Sequence, residues 1–221
     1  MKQYFSYGSE ATNYLKSKDK KLGKMIDTIG HLDRMIDPDL FVSLIGAIVA
    51  QQISGKAADT VWNRILEKVG ILTPESLHRC SDAALQSCGL SWRKVSYIRD
   101  FSEKVLLGEF PLEELAKFSD TEIIAKLDEL KGIGPWTAEM MLIFSLGRPN
   151  ILSFNDFAIQ KGLRMLYGHS EITKELFEKY KKRFNPYATV ASFYIWEIAT
   201  NGYGLIDKQA KIRKNAEAIS Q

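Results

Sequence analysis

Leu130–Leu142 reads LKGIGPWTAEMML. An amphipathic stretch precedes it: SDTEIIAKLDEL places Ile123, Ile124, Leu127 and Leu130 on one helical stripe. Ser119 and Glu122 have capping-box spacing at its start. The helix is expected to end at Lys131-Gly132. A second is expected to start at Pro135, since proline at the first helical position leaves no N–H unpaired, and to run to about Leu146. Lys131-Gly132-Ile133-Gly134 is then the turn of a helix–hairpin–helix. A tight turn needs one glycine for its positive φ. The second invites another reason: with no side chain, a phosphate can approach the backbone. The N–H groups opening the second helix sit at the positive end of its dipole, which suits an anion. There is no Gly-Lys-Ser/Thr, so this is not a P-loop. A Gly-x-Gly turn alone reads by default as a plain helical corner.

The rest of the chain is also helical in pattern. Asp37-Pro38 reads as an N-cap and first-turn pair for Leu40–Ala50, an apolar run too short to span a bilayer. Ser54, Thr73, Ser81 and Ser91 are expected to open four more helices, with Val95, Ile98, Phe101 and Val105 along one face of the last. Asn155-Asp156 opens a helix that Gly168 closes. Two more are expected near Thr173–Phe184 and Pro186–Asn201. About ten short helices, with no strand signal and no repeat, predict an all-α fold.

Hydrophobic residues make up 45% of the 221, charged residues 26%, and the net charge is +3. This permits a polyanionic partner without demanding one. Nothing at MKQYFSYGSE reads as a secretory signal, so an intracellular, reducing location is expected. Cys80 and Cys88 cannot supply the four thiolates of an iron–sulfur cluster. His31, His78 and His169 are scattered and suggest no metal site.

Twenty residues past Trp136, after an extended NILSF piece, stands Asp156. On spacing alone it is either a helix cap or a carboxylate aimed at a nucleic acid held by the hairpin. LKGIGPWTAEMML, NILSFNDFAIQKGL and the upstream AIVAQQISGKAADTVWNRI together resemble the helix–hairpin–helix–Gly/Pro–Asp superfamily of base-excision DNA glycosylases. The branch they look most like is the alkylbase enzymes, 3-methyladenine DNA glycosylase II. The likeness covers roughly residues 40 to 200.

The resemblance implies two helical subdomains flanking a DNA-binding cleft, within one glycosylase domain over 1–221. The helical core spans about 40–147, and segment 1–39 packs with helices from 150–221. The extra N-terminal β subdomain of longer members is expected to be absent. Asp156 takes the place of the catalytic carboxylate, which stabilises the oxocarbenium-like sugar and orients water. Lys131, Gly132, Ile133, Gly134 and Thr137 fall at the DNA-binding hairpin. The main-chain carbonyls of Asp128, Leu130 and Ile133 match those that hold a monovalent cation, Na or K, with DNA. No cofactor is otherwise expected.

Trp136 stands where members with lyase activity carry a Schiff-base lysine, which implies a monofunctional enzyme. Trp136 and Trp196 match two pocket tryptophans, whose indole faces attract a cationic alkylated purine. Met140 and Glu197 replace pocket tyrosines of longer members, which opens the question of substrate breadth. Gln52, with Ile53 beside it, takes the position that fills the gap left by the flipped base; QQIS also reads as a plain helix end. Lys56, Lys161, Arg164 and the tail DKQAKIRK are candidates for further phosphate contacts, or plain surface.

The implied partner is duplex DNA containing damaged bases, bound by a monomer with no membrane association. The implied activity is release of 3-methyladenine or 7-methylguanine types, leaving an abasic site. Two alternatives stand beside it: a glycosylase for deaminated or oxidised bases, and a non-catalytic binder of damaged DNA.

Overall fold

Short polar residues set most helix starts, by accepting a first-turn N–H that the helix itself cannot satisfy. The computed structural model describes residues 2–209 and contains, among them, twelve α-helices and one two-stranded pairing. All ten helices read from the sequence are present. The chain divides into two units, one gathering the residues to Ile36 with those from Gly147, the other spanning Asp37–Leu146.

In the Asp37–Leu146 unit, α3 (Leu40–Ala50) is its most buried helix, with Leu44, Ile45 and Ile48 fully enclosed. Its cap is Asp39, whose carboxylate accepts the Val42 N–H at 3.0 Å. This corrects the expected Asp37-Pro38 start: Asp37 instead accepts the Asp39 N–H in a turn of its own, ahead of the helix. Ser54 caps α4 (Gly55–Val69). Thr73 and Ser76 form a capping box on α5 (Pro74–Arg79), and Ser81 and Ser91 cap α6 (Asp82–Ser87) and α7 (Trp92–Leu106). Val95, Ile98 and Phe101 are buried on α7, Phe101 stacked on Phe41 of α3 with ring centres 5.2 Å apart. A 3-10 turn (Leu112–Lys117) leads to α8 (Asp120–Asp128), which carries the expected Ser119–Glu122 capping box. α8 stops at Asp128, three residues short of Lys131, and Leu130 and Ile133 are buried within the connection that follows. α9 (Pro135–Phe144) starts at the expected proline.

In the other unit, β1 (Gln3–Tyr4) pairs antiparallel with β2 (Met35–Ile36), and α1 (Ser9–Lys18) and α2 (Lys20–Ile29) lie between them in sequence. These elements were not legible: α1 buries only Ala11 and Leu15 and starts at Gly8 with no side-chain cap. α10 (Phe157–Tyr167), α11 (Lys174–Phe184) and α12 (Ala188–Asn201) complete the unit. Asp19, only 5% exposed, ties three helices together. It caps α2, accepts from Tyr167 Oη of α10 at 2.8 Å, and pairs with Arg183 of α11 at 2.6 Å. α12 is buried on nearly all sides, from Ala188 through Ile195. It meets α10 at Gly162, where an added Cβ would lie 2.3 Å from the Ile195 carbonyl oxygen.

No helix among the described residues is long and apolar enough to cross a membrane.

The Gly162 contact is backbone against backbone, so neither side has a flexible end to move away. Gly162→Ala is expected to destabilise the protein by roughly 1–3 kcal/mol, read as a lower denaturant midpoint. A neutral substitution would show that α10 and α12 are not in van der Waals contact there.

Candidate active site

The two hairpin glycines differ in what holds them. Gly132 has φ +85, and an added Cβ would lie 2.4 Å from Tyr97 Cδ2 of α7. The fold therefore requires glycine there, for backbone conformation and for space. Gly134 is extended, at φ −106 and ψ 175, and a Cβ on it would meet nothing within 4 Å. Neither backbone nor packing asks for glycine at 134.

Gly134 is also the N-cap of α9 and offers no side chain to do the capping. Side chains cap α2 to α8, α10 and α11. The start of α9 is therefore an electropositive helix end whose N-cap is bare backbone. Pro135 supplies the first helical position, and Ala138 N–H closes the first turn on the Gly134 carbonyl at 3.0 Å. Trp136 stands on that turn, 47% exposed, with Thr137 half-buried beside it. Met140, one turn on, is 8% exposed and packs as core. Of the three carbonyls named for a cation, that of Leu130 accepts the Ile133 N–H at 3.0 Å. It keeps a second lone pair.

Lys131 is half-committed. Its ammonium donates to Asp100 at 2.6 Å, which holds the Asp100 carboxyl below the usual carboxylate range. The loop between α3 and α4 is attached to the same turn. Gln51 Nε2 donates to the Gly132 carbonyl at 2.5 Å, and Lys94 Nζ donates to the carbonyls of Val49 and Gln51 at 2.7 and 2.6 Å. Burial lowers the Lys94 pKa, with Arg93 nearby adding to the effect. Gln52 follows at φ +57, exposed, and Ile53 is 41% exposed.

The other unit holds the carboxylate. The extended piece before it is pinned to α12: Ile151 N–H donates to Thr189 Oγ1 at 2.9 Å, and Ser192 Oγ donates to the Ile151 carbonyl at 3.0 Å. Gln160 Nε2 of α10 donates to the Phe154 carbonyl at 2.8 Å. Asp156 follows as N-cap of α10, its Oδ1 accepting the Ile159 N–H at 2.8 Å. The same oxygen accepts the Trp196 indole N–H from α12 at 3.1 Å. Asp156 is thus a cap and more than a cap. It is 6% exposed and held from two helices. Two of the residues named from the sequence, Asp156 and Trp196, are brought into direct contact.

Glu197, next along α12, pairs with Arg34 at 3.0 Å, accepts from Tyr203 Oη at 3.0 Å, and is bonded by Asn201 Nδ2. Burial alone raises its pKa, but the Tyr203, Asn201 and Arg34 hydrogen bonds together hold it below the usual carboxylate range. Phe157, the residue after Asp156, is 73% exposed.

Two cations named from the sequence are already used. Arg164 is buried and donates to both carboxylate oxygens of Asp207, from Nε at 3.0 Å and from Nη2 at 2.8 Å. Lys161 Nζ donates to the Ala199 carbonyl at 2.6 Å, near the end of α12. Lys56 is exposed as expected. Of DKQAKIRK, the part from residue 210 lies outside the described residues. Sequence reasoning missed Lys94, Tyr97, Asp100 and Arg34 and gave Gln51 no role of its own. The only local signal was the i, i+3 spacing of the first three on α7.

The model of the HhH-GPD superfamily of base excision DNA repair proteins matches residues 45–186. The DNA-3-methyladenine glycosylase 1 of Schizosaccharomyces pombe is 31% identical over 197 residues, covering 86% of each chain. The crystal structure of a DNA-3-methyladenine glycosidase from Bacillus halodurans superposes with a TM-score of 0.82 at 40% identity, over 90% of this chain and 93% of that one. A Schizosaccharomyces pombe 3-methyladenine DNA glycosylase, solved in complex with abasic DNA, superposes with a TM-score of 0.74 at 30% identity, over 86% and 96%. With its hairpin, its bare α9 start and its capping aspartate, this chain belongs to the HhH-GPD superfamily of base excision DNA repair proteins.

Proposed function

We propose that the protein is a monofunctional DNA glycosylase that hydrolyses the N-glycosidic bond of alkylated purines swung out of duplex DNA, leaving an abasic site. The observation that carries this reading is the double hold on Asp156 Oδ1, by the Ile159 N–H and the Trp196 N–H. A carboxylate fixed in place before the reaction stabilises a developing oxocarbenium ion without reorganising at the moment of bond breaking. It also orients the water that attacks the sugar. A cationic N3- or N7-alkylated purine is already a good leaving group, so the site needs little general-acid help. Support also comes from the relatives that carry the DNA-3-methyladenine glycosylase name.

The hairpin's part is to hold the DNA backbone. Gly134 lets a phosphate reach the start of α9, where dipole and N–H groups both favour an anion. Lys131 adds charge near the turn, reduced by its pairing with Asp100. The Asp128, Leu130 and Ile133 carbonyls are hard oxygen donors that fit a monovalent cation, which would offset phosphate charge. Trp136 and Trp196 each offer an indole face to a cationic base, worth ~0.5–2 kcal/mol. Met140 supports the Trp136 turn from the core, and Glu197 keeps its negative charge beside Trp196 while Arg34 balances it. Gln52 and Ile53 fill the gap in the base stack. Trp136 cannot form the Schiff base of a lyase.

Asp156→Asn keeps an oxygen for the two N–H donors and removes the charge. Release of 7-methylguanine from methylated duplex DNA is expected to fall at least about a hundredfold, while affinity for abasic DNA, read by fluorescence anisotropy, changes little. Unchanged release would remove Asp156 from the chemistry. A panel of single-lesion duplexes separates alkylated from deaminated and oxidised bases, and binding without any release would mark a non-catalytic reader. Borohydride added during turnover is expected to trap no protein–DNA adduct, and the product strand to break only after alkali. Nicking without alkali would overturn the monofunctional reading.

The two glycines are expected to separate fold from binding. Gly132→Ala strains a left-handed backbone and meets the Tyr97 ring, costing roughly 2–4 kcal/mol of stability. Gly134→Ala costs less than about 1 kcal/mol, yet is expected to weaken abasic-DNA binding several-fold. Equal affinity for that variant and the parent would show that no phosphate approaches Gly134.

A further inference from the structure

Helix α7 carries three half-buried side chains at i, i+3 and i+6: Lys94, Tyr97 and Asp100. That spacing places them along one face. Each holds a different piece of the same region. Lys94 Nζ donates to the Val49 and Gln51 carbonyls at the end of α3, which the helix itself leaves without partners. The Tyr97 ring lies against Gly132, so closely that no side chain fits at 132. Asp100 accepts the Lys131 ammonium at 2.6 Å. Gln51 closes the circuit, its side-chain amide donating to the Gly132 carbonyl at 2.5 Å.

Directly after Gln51 the backbone turns left-handed at Gln52, φ +57. A non-glycine residue in that region costs of order 1–3 kcal/mol and persists only where its surroundings impose it. The residue before it is held at both its carbonyl and its side chain, by Lys94 and by the hairpin. The loop that projects Gln52 and Ile53 is thus referenced to the turn that holds the phosphate, through one helix that contacts both.

We propose that Lys94, Tyr97 and Asp100 of α7, together with Gln51, are positioning residues that fix the Gln52–Ile53 loop in register with the hairpin, so that base-stack insertion and phosphate anchoring occur at a set spacing. This rests on the reading of the chain as a glycosylase and of Gln52–Ile53 as the inserting pair. Its consequence is specific. Loosening the clamp makes base flipping more costly and leaves bond breaking at Asp156 alone. The loss then scales with how firmly the lesion is paired, because a weakly held base costs less to extrude.

The experiment compares single-turnover release of 7-methylguanine opposite cytosine with release of the same base opposite an abasic site. Gln51→Ala and Lys94→Met are expected to slow the first by about tenfold and the second by less than about threefold. Lys94→Arg keeps a donor and is expected to recover most of the rate. Asp156→Asn, acting on the chemistry, loses both equally. Equal losses in the two contexts for Gln51→Ala, or no loss in either, would overturn the clamp. Should Lys94→Met lower the unfolding midpoint sharply, Gln51→Ala carries the test, since its amide reaches the turn from a half-exposed loop. Gln52→Ala in parallel identifies which premise fails. If Gln52→Ala shows the context dependence and Gln51→Ala does not, the clamp alone is wrong. If Gln52→Ala shows none, the insertion reading falls and the clamp with it. A parent protein that releases no base in either context overturns the glycosylase reading as well.

Discussion

The Asp37–Leu146 unit depends on one steric constraint, the close approach of Tyr97 to Gly132. A glycine at positive φ lets the chain leave α8, turn, and start α9 seven residues after Asp128. The same conformation presents the Gly132 carbonyl to Gln51. A side chain at 132 would push the turn off α7, and the Gln51 bond and the Lys131–Asp100 pair would both lose their geometry. A local backbone requirement thereby fixes features that are far apart in sequence. Gly134, two residues on, is under no such steric constraint: a Cβ there would meet nothing within 4 Å.

The other unit rests on a different principle, the use of N–H groups to hold a buried carboxylate. Asp156 is placed by α10, which it caps, and by α12, whose indole reaches it. The close α10–α12 packing at Gly162 sets how far Trp196 stands from the cap. Thr189 and Ser192 of α12 then hold the extended segment that delivers Asp156. One helix therefore supplies the donor, the track and the neighbouring charge of Glu197.

The sequence was legible where the determinant is local. Ser54, Thr73, Ser81, Ser91 and Ser119 cap the helices they were expected to open, and of Asn155-Asp156 it is Asp156 that caps α10, because a cap bonds two or three residues along. Asp37 misled because Asp37 and Asp39 both suit a cap, and only the actual turn selects between them. α1 and α2 escaped notice because α1 has no side-chain cap and a short apolar face, and α2 is anchored by Asp19 to helices over a hundred residues away. The hairpin and Asp156 were legible as turn chemistry, joined by resemblance. The clamp was not, since Gln51 meets Gly132 across 81 residues and Lys94 meets Val49 across 45. Nor does composition tell whether a cation faces solvent, a carbonyl or a carboxylate, which is why Lys161 and Arg164 were misread.

That misreading bears on how a chain of net charge +3 engages a polyanion. Arg164, Arg34, Arg183 and Lys131 are each paired with a carboxylate inside their own unit. Lys94 and Lys161 are spent on carbonyls. Charge held this way orients helices and loops and contributes little to counterion release from DNA. What remains at the hairpin is main chain: a glycine with open space around it, a helix start with no side-chain cap, and N–H groups at the positive end of a dipole. Such a helix start offers an anion N–H groups whose positions are set within the hairpin itself. A lysine on a flexible stem attracts phosphate over a range of positions. Within each unit the paired cations therefore contribute fixed geometry rather than free charge.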